Sequence, residues 1–118
     1  MLTLSQAIRL GAMLHPQTFG QMEMCDDATT IVATCALGAA RVALGDAAYQ
    51  RVLDCDSTIT CCPCLDCQRR AREPEPFHLL ITHLNDFHRW TREAIADWIA
   101  TLEAHETPQD AAPELVRA

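Results

Sequence analysis

Residues 61–67 read Cys-Cys-Pro-Cys-Leu-Asp-Cys and hold four of the seven cysteines of this 118-residue chain. The spacing Cys64-x2-Cys67-x15-His83-x4-His88 matches the template of a Cys2His2 zinc site, in which two sulfurs of a tight knuckle and two ring nitrogens surround one ion. We therefore predict a structural Zn2+ centre that fastens a small fold. The candidate ligands are Cys61, Cys64, Cys67, His83 and His88.

Several ligand sets compete within this segment. Cys61-x2-Cys64 fits a knuckle as well as Cys64-x2-Cys67 does, and an all-sulfur or Cys3His site can include Cys55. Cys64 belongs to every pairing. Reduced thiols that bind no metal and are partly core are a further alternative.

An iron–sulfur cluster is the second cofactor that the cysteines suggest. Cys61-x2-Cys64-x2-Cys67 matches the first three positions of a bacterial ferredoxin run, but the expected fourth position is Ala71. The fourth ligand would have to be Cys25, Cys35 or Cys55. A thiol enzyme is a weaker alternative, and it would pair Cys64 with His83 or His88 as the base.

Composition narrows the class of protein. With 49% hydrophobic residues, the chain is expected to form one globular domain. The net charge is −7, with nine arginines and no lysine, which argues against broad nucleic-acid binding but leaves a local basic patch possible. No signal peptide or membrane-length apolar run is visible, so we expect a cytoplasmic protein, in which clustered cysteines favour metal or redox chemistry.

The hydrophobic pattern predicts a mainly α-helical single domain of four to five helices with a zinc-knuckle-like loop. Thr3 and Gln6 form a capping box for a first helix, which Pro16 stops. A second helix is expected over 28–44, capped by Asp26 or Asp27 and followed by a short third helix from Asp46. Residues 57–60 are predicted to be a short strand or an extended arm.

The last two helices are predicted to carry most of the core. One begins near Pro76 and buries Phe77, Leu80, Ile81, Leu84 and Phe87. The other has Thr91 as its N-cap and presents the apolar stripe Ile95, Trp98, Ile99 and Leu102. We place the helical domain at 1–104, its metal-binding knuckle at 55–67 and a flexible C-terminal tail at 105–118.

His83 and His88 do not share a face of an ideal helix. Five residues correspond to a rotation of roughly 140° from one side chain to the other. Both can bind one ion only if the helix loosens or ends near His88, and Asn85-Asp86 favours a turn or kink there. The same residues could open a helix-turn-helix, so a DNA-binding regulator using the helices around 80–102 is an alternative function.

Three segments carry a resemblance to a known group. They are residues 7–11 with residues 15–17, the run Thr-Cys-Ala-Leu-Gly-Ala-Ala at 34–40, and the segment from His83 to Trp98, which begins His-Leu-Asn-Asp-Phe-His-Arg-Trp-Thr-Arg-Glu. The chain resembles small uncharacterised proteins of phages and bacterial genomes, in which a Cys-Pro-x-Cys pair precedes the His-Leu-Asn-Asp segment. The resemblance implies a phage or mobile-element setting and no particular reaction.

No serine triad signature, phosphate loop or dinucleotide fingerprint is present, so we predict that the protein is not an enzyme. The expected function is a regulatory interaction or adaptor module with a protein partner, while nucleic acid is a less favoured partner. The small residues around Gly38, together with Trp90 and Trp98, are candidates for docking a partner or for core packing.

Overall fold

The computed structural model describes residues 2–55 and 59–106, and the side chains of 2–54 and 59–103. This part of the chain is mainly helical, as predicted, with six helices where four or five were expected. The helices are α1 (Leu4–Ala12), α2 (Ala36–Leu44), α3 (Asp46–Cys55), α4 (Leu65–Arg69), α5 (Phe77–Asp86) and α6 (Arg92–Glu106). Two antiparallel pairs of short strands complete it: β1 (Glu23–Cys25) with β2 (Ile31–Thr34), and β3 (Ile59–Thr60) with β4 (Glu75–Pro76).

Helix α1 begins at its predicted capping box, in which the Thr3 side chain accepts from the Gln6 N–H and the Gln6 side chain accepts from the Thr3 N–H. It packs against α2 and α6. The contact with α2 is close, because a Cβ built on Gly11 would lie 1.9 Å from the Ala39 carbonyl oxygen. Apolar side chains of α1, α2, α5 and α6 together fill one buried cluster.

The predicted helix over 28–44 is wrong in its first half. Residues 23–34 form the β1–β2 hairpin, and its turn is closed by Asp26, whose Oδ1 accepts from the N–H groups of Ala28 and Thr30. Helix α2 starts only at Ala36, with Cys35 as its N-cap. The β-branched residues at 29–32 favour the strand, and an Asx turn competes with a helix cap at Asp26.

The small-residue face around Gly38 is occupied by the protein itself. A Cβ on Gly38 would lie 2.1 Å from the Met22 carbonyl oxygen and 3.2 Å from the Thr34 Cβ, so the residue before β1 and the end of β2 cover this face. Trp90 and Trp98 are half-buried and pack against the core. The structure therefore confirms core packing for these residues, and the docking of a partner on the half-buried tryptophans stays a prediction.

Helix α5 is tied to the rest of the fold by a buried amide. Asn85 is fully buried, its Oδ1 accepts from the Ala36 N–H at 3.1 Å, and its Nδ2 donates to the Thr18 carbonyl at 3.0 Å. The predicted burial of Phe87 is wrong, since this side chain is 74% exposed. Helix α5 ends at Asp86, so the face that buries Leu80, Ile81 and Leu84 does not continue to Phe87.

We call residues 59–76 the cysteine arm. It contains β3, α4 and β4, and β3 and β4 pair with each other, so the arm folds back on itself. Only two of its side chains are buried, and both are cysteines, Cys62 and Cys67. The arm therefore has almost no apolar core of its own.

The predicted domain boundary at 104 and the predicted C-terminal tail are only partly covered by the described residues. Helix α6 extends to Glu106, two residues past the predicted domain boundary at 104, and most of the predicted tail, 107–118, lies outside the described residues. Within the described ranges, no helix is both long and apolar enough to cross a membrane.

Candidate metal centre

Two elements of the cysteine arm direct a sulfur inward. β3 ends at Thr60, and exposure differs between the adjacent residues that follow it: Cys61 is exposed, like Ile59, and Cys62 is 1% exposed. In the five-residue helix α4, Cys67 is the one buried residue. Both sulfurs belong to the buried cluster that α5 also lines.

The end of α5 brings the two histidines together. The N–H groups of Phe87 and His88 both bond to the His83 carbonyl, at 2.9 and 3.2 Å, and the Trp90 N–H bonds to the Leu84 carbonyl. Arg89 adopts the left-handed conformation with φ 56°, which turns the chain back across the helix end. As predicted, His83 and His88 converge because the helix ends, and their ring centroids lie 4.5 Å apart.

The four side chains form one compact donor set. The ligand atoms of Cys62, Cys67, His83 and His88 all lie within 4.8 Å of one another, close enough to hold a metal ion. The Cys67 sulfur lies 3.5 Å from the His83 Nε2 and 3.3 Å from the His88 Nε2. A tetrahedral ion with metal–sulfur bonds of about 2.3 Å and metal–nitrogen bonds of about 2.0 Å separates its sulfur and nitrogen ligands by about 3.5 Å.

The convergence of two ring nitrogens on one sulfur is compatible with a metal centre. Without a metal, the Cys67 sulfur would donate its proton to one ring and accept from the N–H of the other, whereas a metal-bound thiolate leaves both nitrogens free to bind the same ion. The donor set therefore fits a tetrahedral S2N2 centre, with the ligands arranged in the chain as Cys62-x4-Cys67-x15-His83-x4-His88.

The protonation of the site is set by its burial. Burial raises the pKa of the Cys62 thiol above its usual 9.0; the Cys64 N–H, which bonds to this sulfur, opposes the shift, and the neighbouring Cys67 adds to it. Burial lowers the pKa of His83 below 6.5, and the charges of Arg72 and His88 lower it further. His83 is therefore neutral and ready to bind, and a metal must displace the Cys62 proton.

Three of the five candidate ligands, Cys67, His83 and His88, lie in this donor set. The other two lie outside it: Cys61 is exposed, and Cys64 is the half-buried N-cap of α4, where it packs against the edge of the core. The backbone N–H of Cys64 still contributes, through its bond to the Cys62 sulfur.

Sequence reasoning missed Cys62, because the x2 spacing of a knuckle selects its two neighbours. Alternation along the β-branched residues predicted as a strand places adjacent cysteines on opposite faces, but it does not determine which face meets the core. Of the other thiols considered, Cys25 is exposed and Cys35 caps α2, while the Cys55 side chain lies outside the described part of the chain.

No protein-family model matches this sequence, and no curated protein or solved structure shows significant similarity to it. The geometry of the site is therefore the basis for inferring its chemistry. That geometry offers four protein ligands to a single ion, two sulfurs and two nitrogens.

Proposed function

We propose that the protein is a small zinc-binding interaction module in which the metal is structural. One observation carries this proposal: in the cysteine arm the only two buried side chains are Cys62 and Cys67, and both belong to the donor set. An ion held by these cysteines and by the histidines of α5 would be the main attachment of the arm to the helices. A site with four protein ligands also leaves no open position for a substrate, which supports a non-enzymatic role.

Zinc is favoured over iron–sulfur chemistry by the ligand arrangement. Most clusters use four cysteine thiolates, and in a Rieske centre the cysteines bind one iron and the histidines bind the other. Here the Cys67 sulfur lies within 3.5 Å of both histidine nitrogens, so sulfur and nitrogen ligands surround the same point. Tetrahedral S2N2 coordination of a single ion is typical of Zn2+.

A DNA-reading role for the helices around 80–102 has less support. Arg92, the first residue of α6, is 5% exposed; its Nη1 donates to the Thr34 hydroxyl at 3.0 Å and its Nη2 to the Ala12 carbonyl at 3.3 Å. A guanidinium held in this way fastens α6 to the N-terminal half and is not available to a phosphate. The net charge of −7 disfavours the same partner.

The setting of the module is proposed on other grounds. A centre of two thiolates requires reduced cysteines, which favours the cytoplasm. The resemblance of the segment that begins at His83 to small phage and bacterial proteins supports a regulatory role in a phage or mobile-element context, with a protein as the partner.

Elemental analysis of the full chain after gentle purification tests the metal. We expect about one equivalent of zinc and a colourless sample, because structural zinc sites bind tightly. Less than about half an equivalent, or a brown sample that bleaches on reduction, would contradict the proposal.

A series of four single variants tests the ligand set. Cys62→Ser and Cys67→Ser should each lose the zinc, while Cys61→Ser and Cys64→Ser should retain it, since their sulfurs lie outside the donor set. Co2+ substitution adds a spectroscopic readout, because a tetrahedral thiolate site is strongly coloured. If Cys62→Ser retains zinc and Cys64→Ser loses it, the ligand set proposed here is wrong and Cys64 binds the ion, as the Cys64-x2-Cys67 spacing predicts.

A further inference from the structure

Phe87 stands out on the surface beside the metal centre. Its side chain is 74% exposed, yet its ring stacks on His83 with a centroid distance of 5.3 Å and an interplanar angle of 11°. It also meets His88 edge-on at 5.1 Å. Because these two histidines are the nitrogen donors of the centre, an ion that fixes them also fixes Phe87.

Two clefts flank this ring. The larger one has a volume of about 370 Å3 and is lined by Cys67, Arg70, Arg72, His83 and Phe87. The smaller one has a volume of about 160 Å3 and is lined by Asp66, Cys67, Arg70, His88 and Phe87. Cys67, Arg70 and Phe87 line both clefts. Of these three, Arg70 and Phe87 are exposed, so they form a ridge between two depressions, which we call the Phe87 ridge.

The charge of the larger cleft is opposite to that of the protein. Arg70 and Arg72 line it and no carboxylate does, whereas the chain as a whole carries −7. Arg72 is paired with Glu75 at 2.7 Å, while Arg70 is exposed and has no ion-pair partner among the described residues. Two thiolates and two neutral histidines would balance a divalent ion, so the positive charge of the cleft belongs to the arginines.

We propose that the Phe87 ridge and its two clefts bind a short acidic peptide segment of a partner protein. An apolar or aromatic side chain of the peptide packs on the exposed face of Phe87, and a neighbouring carboxylate pairs with Arg70. This inference rests on the proposed zinc site, because the ion holds the histidines that support the ring. An aromatic anchor that is rigid before binding loses little entropy on binding, which is typical of residues that dominate interfaces.

The charges favour a peptide over a nucleic acid. Nucleic-acid affinity comes from many phosphate contacts, and the ridge offers one unpaired arginine on a chain of net charge −7. A peptide with one or two carboxylates next to an apolar side chain matches the ridge. The acidic protein repels such a peptide less than it repels a nucleic acid, which carries a charge on every phosphate.

Peptide display on the immobilised, zinc-loaded full chain tests this surface. The probe is a library of random dodecapeptides, and we expect enrichment of peptides in which an aromatic residue or leucine lies next to acidic residues. An enriched peptide, labelled with a fluorophore, should bind Phe87→Ala and Arg70→Glu about tenfold more weakly than the parent, a typical loss for an anchor residue. Leu14→Ala and Arg51→Glu are matched controls on exposed residues that line neither cleft, and they should bind like the parent.

Three outcomes would overturn the inference. One is enrichment of peptides without acidic residues, and another is unchanged binding by both ridge variants. The third is tighter binding of a random single-stranded oligonucleotide than of the best peptide, with loss of that binding in Phe87→Ala. Zinc content measured on the same samples separates the two proposals. A preparation without zinc would contradict the proposed zinc-binding function. A zinc-loaded preparation that selects no peptides would contradict only the proposed peptide binding by the Phe87 ridge.

Discussion

The helical core formed by α1, α2, α5 and α6 and the cysteine arm at 59–76 are held in different ways. In the core, fully buried apolar side chains such as Ile8, Leu80 and Ile95 pack helix against helix, and Gly11 lets two backbones touch. In the arm, Cys62 and Cys67 are the only buried side chains, and its strands are two residues long. Close packing and the burial of apolar surface stabilise the core, whereas the buried side chains of the arm are two sulfurs of the donor set.

The two regions therefore differ in whether they need a ligand to be ordered. A core of packed helices is stable without a ligand, while a short loop-rich segment needs a metal or disulfides to be ordered. All four donors lie at the junction, two in the arm and two at the end of α5. Under the proposed function, the arm is the part of the molecule whose order depends on the metal, and the surface next to it is the one whose geometry the metal fixes.

Gly11→Ala should have the largest effect on stability, because it disrupts helix packing in the core. Its Cβ would lie 1.9 Å from the Ala39 carbonyl oxygen, so α1 and α2 must separate, and we expect a loss of more than about 3 kcal/mol in the free energy of unfolding. Denaturant unfolding monitored by circular dichroism measures it. Gly20→Ala is the control: it meets no atom within 4 Å but has φ 79°, so it should cost only about 1 kcal/mol. Equal losses would show that the close approach of α1 and α2 does not matter.

Removal of the metal should affect one region only. After chelation we expect the amides of the cysteine arm to exchange rapidly, while those of α1 and α2 keep their protection, because the packing of the core does not use the ion. Hydrogen exchange resolved by peptide measures both regions in one sample. Loss of protection throughout the chain would mean that the two regions unfold together, and unchanged protection in the arm would show that the metal does not order it.

Asn85→Leu should weaken the junction between α5 and the N-terminal half. The change keeps the number and branching of the side-chain heavy atoms but leaves the Ala36 N–H and the Thr18 carbonyl without their partner, at a cost of about 2 kcal/mol in unfolding free energy. Thr82→Ala, on the same helix, removes only an exposed bond to the His78 carbonyl and should be nearly neutral. Thermal unfolding compares the two variants. A neutral Asn85→Leu would show that apolar packing alone joins these parts.

The sequence predicts the core better than the junctions, for physical reasons. Caps at Thr3 and Thr91 and the apolar side of α5 are local patterns, and the structure contains each of them. The β1–β2 hairpin was missed because an apolar run can form either a strand or a helix, and the Asx turn at Asp26 decides between them. Asn85-Asp86 was interpreted as a turn or a kink, and helix α5 does end at Asp86. The tertiary role of Asn85 could not be predicted, because its partners lie 49 and 67 residues away in the chain.

The candidate metal site was predictable only in part, again because some of its features are local and others are tertiary. The convergence of His83 and His88 follows from the local end of a helix, and the sequence anticipated it. The choice between neighbouring cysteines depends on which face of an extended segment meets α5, and that is a tertiary property. Cys62 and Cys61 are adjacent and chemically identical, but only one of them faces the core.

The ionisation of Tyr49 tests whether the helical core is independent of the cysteine arm. Tyr49 is the only tyrosine in the chain, and it lies in the core. Burial raises its pKa from 10.0 to about 12; the charges of Cys35 and Glu23 add to the shift and Arg41 opposes it, and none of these groups is in the cysteine arm. The folded state thus holds the phenol proton more tightly than the unfolded chain does. The resulting stabilisation is present below pH 10 and is lost as the pH rises from 10 towards 12.

Titration of the tyrosinate ultraviolet absorbance measures this pKa directly, with the chain unfolded in denaturant as the reference near 10. We expect the same midpoint, about 12, for the metal-loaded and the chelated protein, because the ion orders the arm and not the surroundings of Tyr49. A midpoint that falls towards 10 on chelation would mean that water reaches the core when the arm is released. The donor set would then stabilise the whole fold, and the division between a self-sufficient core and a metal-dependent arm would be wrong.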